Sequence, residues 1–180
     1  MMARHGEQMA VLTIRYEGDP ILRQKANKLP KVDGSVRALA DDMWETMLAA
    51  DGVGLAAPQI GLGRRLIVVR VPAGYGGEDT PEYTFRLANP EIIKAFGRQT
   101  TYEGCLSIPG WIGEVPRAES VTVKAVDMDG RQIRIKASGR LAVVLQHEID
   151  HLDGILYTDR MTDMSTLQKV SEEEFEKVAE

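Results

Sequence analysis

The chain is short of cysteine: Cys105 is the only one in 180 residues. No intrachain disulfide can form, which fits a reducing compartment, and the cytoplasm is the simplest choice. Histidine is nearly as scarce, with only His5, His147 and His151. No apolar run approaches the roughly 20 residues that cross a bilayer, so a helical membrane span is excluded. Basic charge is in deficit, with 22 Lys and Arg against 27 Asp and Glu. A surface of that balance does not advertise direct nucleic-acid binding. The N-terminus lacks the apolar core and small-residue site of a signal peptide. No internal repeat or low-complexity segment occurs.

What is present suits one domain spanning 1–180 and long enough to bury a real core, at 43% hydrophobic and 27% charged residues. Residues 1–8 read as a loose extension, with Met1, Met2 or Met9 as the start, and His5 in that extension reads as solvent-exposed. Val36, Leu39, Ala40, Met43 and Met47 recur at helical spacing, with Ser35 as the N-cap and an end near Asp51-Gly52. The β-branched run Arg65 to Val71 reads as a buried strand. Residues 72–82 read as a glycine-rich inserted loop. Shorter strands are expected at Phe85 to Ala88 and Glu91 to Phe96. Val121, Val123 and Ala125 face Ile133, Ile135 and Ala137 in a hairpin turning at Asp129-Gly130. Ser138 is placed to cap a second helix carrying Leu141, Val144, Leu145 and Leu152, with Gly154 at its end. Residues 165–180 read as an acidic C-terminal helix. Strands and helices are mixed without regular alternation, which argues α+β.

The second helix holds QHEIDHLDG, Gln146 to Gly154. His147 and His151 are four apart and project from one helical face, where both imidazoles can reach one cation. Glu148 stands where a carboxylate can reach a metal-bound water without being a ligand, as in H-E-x-x-H metallohydrolases. A catalytic site of this kind wants a third protein ligand and an open position. Tyr157 occupies the position where an extended protease pattern has its third histidine. Glu172, Glu173 or Glu174 could serve by distance, although their charged run reads more simply as a solvated face. Cys105 is the strong remaining donor, since a thiolate binds divalent transition metals tightly.

Three segments together resemble the bacterial and organellar peptide deformylases: GVGLAAPQIG (Gly52 to Gly61), EGCLSIPG (Glu103 to Gly110) and QHEIDHLDG. DDMWETM (Asp41 to Met47) resembles that family's first long helix, and the likeness covers about Val11 to Met161. The resemblance implies an α+β fold with a central metal-binding H-E-x-x-H helix packed on mixed or antiparallel sheets, flanked by an N-terminal and a C-terminal helix. It implies removal of the formyl group from N-formylmethionyl polypeptides, with release of formate and a metal-bound water as nucleophile. The metal ligands it implies are Cys105, His147 and His151, holding Fe(II), with Zn(II), Ni(II) or Co(II) able to occupy the site. Glu148 becomes the general acid and base, while the Gln59 side chain and the Leu106 N–H become oxyanion donors. The backbone of Val53, Gly54 and Gly104 would pair with the peptide, and Val143 and Val144 would line the methionine pocket or simply pack the core.

Further expectations concern the surroundings of these residues. Asp150 either orients a ligand histidine or is solvated, and Glu103 with Arg117 is expected to form a pair bracing the cysteine segment. Trp111 either lines the cleft or packs on the surface. Residues 171–180 carry five glutamates and one lysine. The basic C-terminal helix with which some relatives dock on the ribosome is thus not expected here, which leaves only transient ribosome proximity. The other readings are a zincin-type metallo-endopeptidase, a cysteine-nucleophile amidase and a non-catalytic, metal-stabilised peptide-binding module.

Overall fold

The computed structural model describes residues 9–179. The expected extension 1–8, with His5, lies outside them. Among the described residues the fold is α+β, with antiparallel strand ladders and four α-helices. One sheet has five strands in the order β1-β2-β3-β6-β7: Gly54–Ala56, Leu66–Val71, Tyr83–Phe96, Ser120–Val126 and Gln132–Ser138. A second sheet has the order β4-β5-β8: Gln99–Cys105, Ile108–Arg117 and Gln168–Lys169. No helix among the described residues is long and apolar enough to cross a membrane.

Helix α1, Gly34–Ala49, and helix α2, Gly139–Leu152, cover opposite faces of the larger sheet. Leu66 and Val68 of β2 pack with Val36, Ala40, Met43 and Met47 of α1. Ile67, Val69 and Val71 pack with Leu141, Leu145 and Ile149 of α2. β2 is therefore apolar on both faces, which is why its sequence runs without alternation.

Three local expectations change. The N-cap of α1 is Asp33 rather than Ser35, because the Asp33 Oδ1 accepts from the Ser35 and Val36 amides at 3.0 and 3.1 Å. The two expected short strands are one, β3, despite Asn89-Pro90. Asn89 adopts φ 49° in a bulge between Ala88 and Glu91. Its side chain is held by the Leu29 amide and carbonyl, both at 2.8 Å. Proline, with no N–H to give the ladder, is tolerated at such a bulge. The C-terminal helix α4 spans only Glu172–Ala179. Before it, Gln168 and Lys169 pair with Ile112 and Trp111, so the chain there is strand and not helix. The short helix α3, Tyr157–Arg160, follows α2. Around it, Leu156, Tyr157 and Leu167 join Cys105, Ile108 and Val115 in a third apolar cluster.

Candidate active site

Residues Leu141 to Leu152 of α2 are all buried, including the polar Gln146, His147, Glu148, Asp150 and His151. Buried polar groups normally find partners, so the exceptions are informative. Gln146 is satisfied: its Oε1 accepts from the Ala118 amide at 3.0 Å, and its Nε2 donates to the Ala118 and Ala142 carbonyls. Asp150 accepts from Arg117 at 2.6 Å and from Arg160 at 2.8 and 3.1 Å. The Glu148 Oε2 and the His151 Nδ1 are buried without a hydrogen-bond partner.

β4 ends at Cys105 and turns into β5, with a register shift between Glu103 and Cys105. That turn delivers the thiol to the histidine face of α2. Donor atoms of Cys105, His147 and His151 all lie within 4.8 Å of one another. The Cys105 Sγ is 3.4 Å from the His151 Nε2. Donors around one tetrahedral ion at usual bond lengths stand roughly 3.3–3.6 Å apart, so the thiol and His151 already stand at that spacing and the three together could close on one divalent cation. Glu103 Oε1 lies 2.8 Å from the His147 Nδ1, which leaves Nε2 for a cation. Arg117 grips Glu103 with two bonds, 2.8 and 2.9 Å.

The expected Glu103–Arg117 pair is thus present. Asp150 meets Arg117 and Arg160 and not a histidine, and it is Glu103 that holds a ligand ring, at the His147 Nδ1. A line of polar contacts runs from His147 through Glu103, Arg117 and Asp150 to Arg160 at the surface. Burial opposes the charge on Glu103, but Arg117 and His147 bring its pKa down to about 2. Burial, with the charges of His147 and Arg117, puts His151 well below its ordinary value and keeps it neutral, the form that ligates metal. Burial also disfavours a charged His147, yet Cys105 and Glu103 raise it well above the usual range. The anionic groups around it demand positive charge, which a bound cation would supply. Burial raises Glu148 to about 7.

The 3-10 turn Ala57–Ile60 positions Gln59. Its Oε1 accepts from the Ala56 amide at 2.9 Å, so Nε2 faces the thiol, 3.6 Å from the Cys105 Sγ and 3.1 Å from the Ser107 Oγ. Val53, Gly54, Gln59, Gly104, Cys105, Leu106, Val143, Val144, His147 and Glu148 line one cleft, with His151 buried beside it. The structure therefore brings the residues that the resemblance assigns to metal, catalysis and substrate to one place. Trp111 is not in the cleft; it pairs with Lys169, and its carbonyl accepts from the Tyr157 hydroxyl at 3.0 Å. Tyr157 is thus committed elsewhere, and Glu172, Glu173 and Glu174 are exposed on α4. None joins the histidines as a third ligand among the described residues. Arg140 lines the same cleft and was not singled out from the sequence. Its signal was its position seven residues before His147, on the same helical face.

The profile of a protein family described as polypeptide deformylase matches residues 11–167. A peptide deformylase from Thermomicrobium roseum is 61% identical over 168 residues, covering 93% of this chain and 96% of that protein. Among solved structures, the crystal structure of peptide deformylase from Thermus thermophilus aligns with a TM-score of 0.75 and 44% identity, covering 83% of this chain and 85% of that one. A Met-Ala-Ser-bound class I type b peptide deformylase from Acinetobacter baumannii aligns with a TM-score of 0.81 and 36% identity, covering 86% of this chain and 100% of that one.

Proposed function

The chain belongs to the peptide deformylase family and removes the N-formyl group from newly made polypeptides, and we propose that the cleft beside α2 is where it does so. The observation that carries this assignment is the convergence on one wall of a thiol, two imidazoles and a buried carboxylate whose Oε2 has no partner. Cys105, His147 and His151 would hold one divalent ion. Fe(II) is the assignment that the family resemblance favours, with Zn(II), Ni(II) or Co(II) acceptable to the same donors. When bound, the ion supplies Lewis acidity, polarising the formyl oxygen and lowering the pKa of a water.

The remaining work belongs to side chains and amides of the protein. Glu148 takes a proton from the attacking water, whose oxygen bonds to the formyl carbon. Glu148 then gives that proton to the methionine nitrogen as the C–N bond breaks, and formic acid leaves with the water's oxygen and second proton, ionising to formate. A carboxyl held near 7 by burial can do both at neutral pH. Gln59 donates from Nε2 to the formyl oxygen as negative charge develops there. The Ala56 amide holds the other end of that side chain, so the donor is aimed in advance. The Leu106 N–H is the second donor. The backbone of Val53, Gly54 and Gly104 receives the peptide as an added strand, and Val143 and Val144 face the methionine side chain.

The substrate class is a linear N-formylmethionyl peptide, and the compartment is the cytoplasm, where new chains emerge. The acidic C-terminal helix would be repelled by RNA phosphates, so it makes no direct contact with nucleic acid. The deciding experiment measures formate release from formyl-Met-Ala-Ser by anaerobically prepared protein of known metal content. Cys105→Ser should lose metal, whereas Glu148→Ala should keep metal and lose turnover. Internal cleavage of unformylated peptides, with no formate released, would replace this assignment with the endopeptidase reading.

A further inference from the structure

Arg140 is the one lysine or arginine among the described residues lining the cleft. It shares a face of α2 with Val143, Val144 and His147, three, four and seven positions later. At 1.5 Å per residue it lies about 10 Å along the helix from His147. The cleft therefore runs from Glu148, past the two valines, to a guanidinium at its rim.

That guanidinium is held in place. Its Nη2 donates to the Tyr75 hydroxyl at 2.6 Å, and its Nη1 donates to the Tyr102 carbonyl at 3.4 Å. Its carbon stands 4.9 Å from the Tyr75 ring centroid. Tyr75 belongs to the loop between β2 and β3, and a β-carbon on neighbouring Gly76 would come within 3.0 Å of the Arg140 Cβ. The loop thus closes tightly on this one side chain. Helix stability does not account for an arginine here. Arg140 is the second residue of α2, at the positive end of the helix dipole, where a cation is unfavourable.

We propose that Arg140 is a specificity-determining residue that reads the charge of the first residues after formyl-methionine, favouring acidic side chains over basic ones. The proposal rests on the deformylase assignment of the cleft. An extended peptide advances about 3.4 Å per residue. With its formyl group at Glu148, its second and third residues come level with a rim group about 10 Å away. A carboxylate there is drawn to the positive charge of the guanidinium, whereas an ammonium meets a like charge.

The test compares kcat and KM for formate release from formyl-Met-Asp-Ser, formyl-Met-Ala-Asp, formyl-Met-Lys-Ser and formyl-Met-Ala-Lys. Wild type, Arg140→Gln, Arg140→Glu and Tyr75→Phe are each checked by thermal melting. Wild type should favour the acidic member of at least one pair by about fivefold to tenfold in kcat/KM, mostly through KM. Arg140→Gln should level that ratio and Arg140→Glu should invert it. Tyr75→Phe, which removes one hydrogen bond that positions the guanidinium without altering α2, should lower the ratio. High salt should shrink the wild-type preference. The same ratio in wild type and Arg140→Glu, with formate released normally, overturns this proposal alone. No formate from any peptide by metal-loaded wild type overturns the deformylase assignment and this proposal together.

Discussion

A β-carbon on Gly54 would stand 2.7 Å from both the Cγ and the Cδ of Glu148. Real β-carbons essentially never come so close, so β1 and α2 meet at this point only because residue 54 has no side chain. Gly54 does not need a left-handed backbone; its requirement is room. Gly52 is similar, with the Leu106 Cδ1 at 2.7 Å from its would-be β-carbon.

Gly54→Ala should therefore act on Glu148 before it acts on the fold. Glu148 is 4% exposed and cannot swing away cheaply. Overpacking of this kind destabilises by about 1–3 kcal/mol. A misplacement of the carboxylate by about 1 Å should lower kcat by about 100-fold. Metal content should be unchanged, since the thiol and imidazoles are not touched. Formate-release kinetics with metal analysis and melting temperature would check this; near-wild-type kcat would show that the close approach is not needed.

Gly104 and Phe175 make a second such pair. A β-carbon on Gly104 would lie 2.8 Å from the Phe175 Cε2 and 3.4 Å from the Ile112 Cγ2. Gly104→Ala should destabilise by about 1–3 kcal/mol through overpacking. In the Phe175→Ala background the same change should be far milder. The double-mutant cycle should then give an interaction energy of roughly 0.5–3 kcal/mol, read from urea melts. Simple additivity would mean that α4 does not press on the cysteine strand.

Arg117 is buried with Glu103 on one side and Asp150 on the other. Arg117→Ala strips both carboxylates of their buried partner, a change that destabilises by about 3–5 kcal/mol. Glu103 should also hold His147 less firmly, weakening metal retention by about 10–100-fold, as loss of a ligand's own partner commonly does. Denaturant melts and a chelator competition would read the two effects separately. Unchanged metal retention would reduce the Glu103–Arg117 pair to a purely structural role.

The chemistry was legible in the sequence where it rested on spacing along one helix. His147, Glu148 and His151 need only the 3.6-residue turn, and the α+β class needed only the pattern of strands and helices. Cys105 was legible as the strongest remaining donor and Gln59 only through its motif, because bringing either to α2 takes long-range packing. The cap at Asp33 was missed because Asp33 and Ser35 are both good capping residues, and only the backbone shows which carboxylate or hydroxyl accepts. β3 was split in two because Asn89-Pro90 is a local breaker, and the contacts to Leu29 that rescue it come from far along the chain. The strand at Gln168–Lys169 has no local signature, because it is set by pairing with β5, far earlier in the chain. Arg140 escaped notice because a lone arginine on a helix reads as a solvated residue until the loop carrying Tyr75 is folded against it.

Asp33 offers a test with a defined pH sign. Its Oδ1 accepts from the Ser35 hydroxyl at 2.7 Å and from the Ser35 and Val36 amides. The Ser35 hydroxyl bond first, then the Val36 amide, hold its pKa below the ordinary 3.8. A carboxylate with a depressed folded-state pKa stabilises the fold fully above its unfolded value, and that contribution is lost as pH falls through the folded value. Asp33→Ala should therefore lower the melting temperature at neutral pH, with the gap to wild type closing in acid. Asp33→Ser, a cap that does not titrate in this range, should keep its difference from Asp33→Ala as pH falls. Melting temperatures of the three proteins from neutral pH down to the lowest pH at which each folds would decide it. A gap between wild type and Asp33→Ala that stays constant with pH would mean that the ionised carboxylate is not what caps α1.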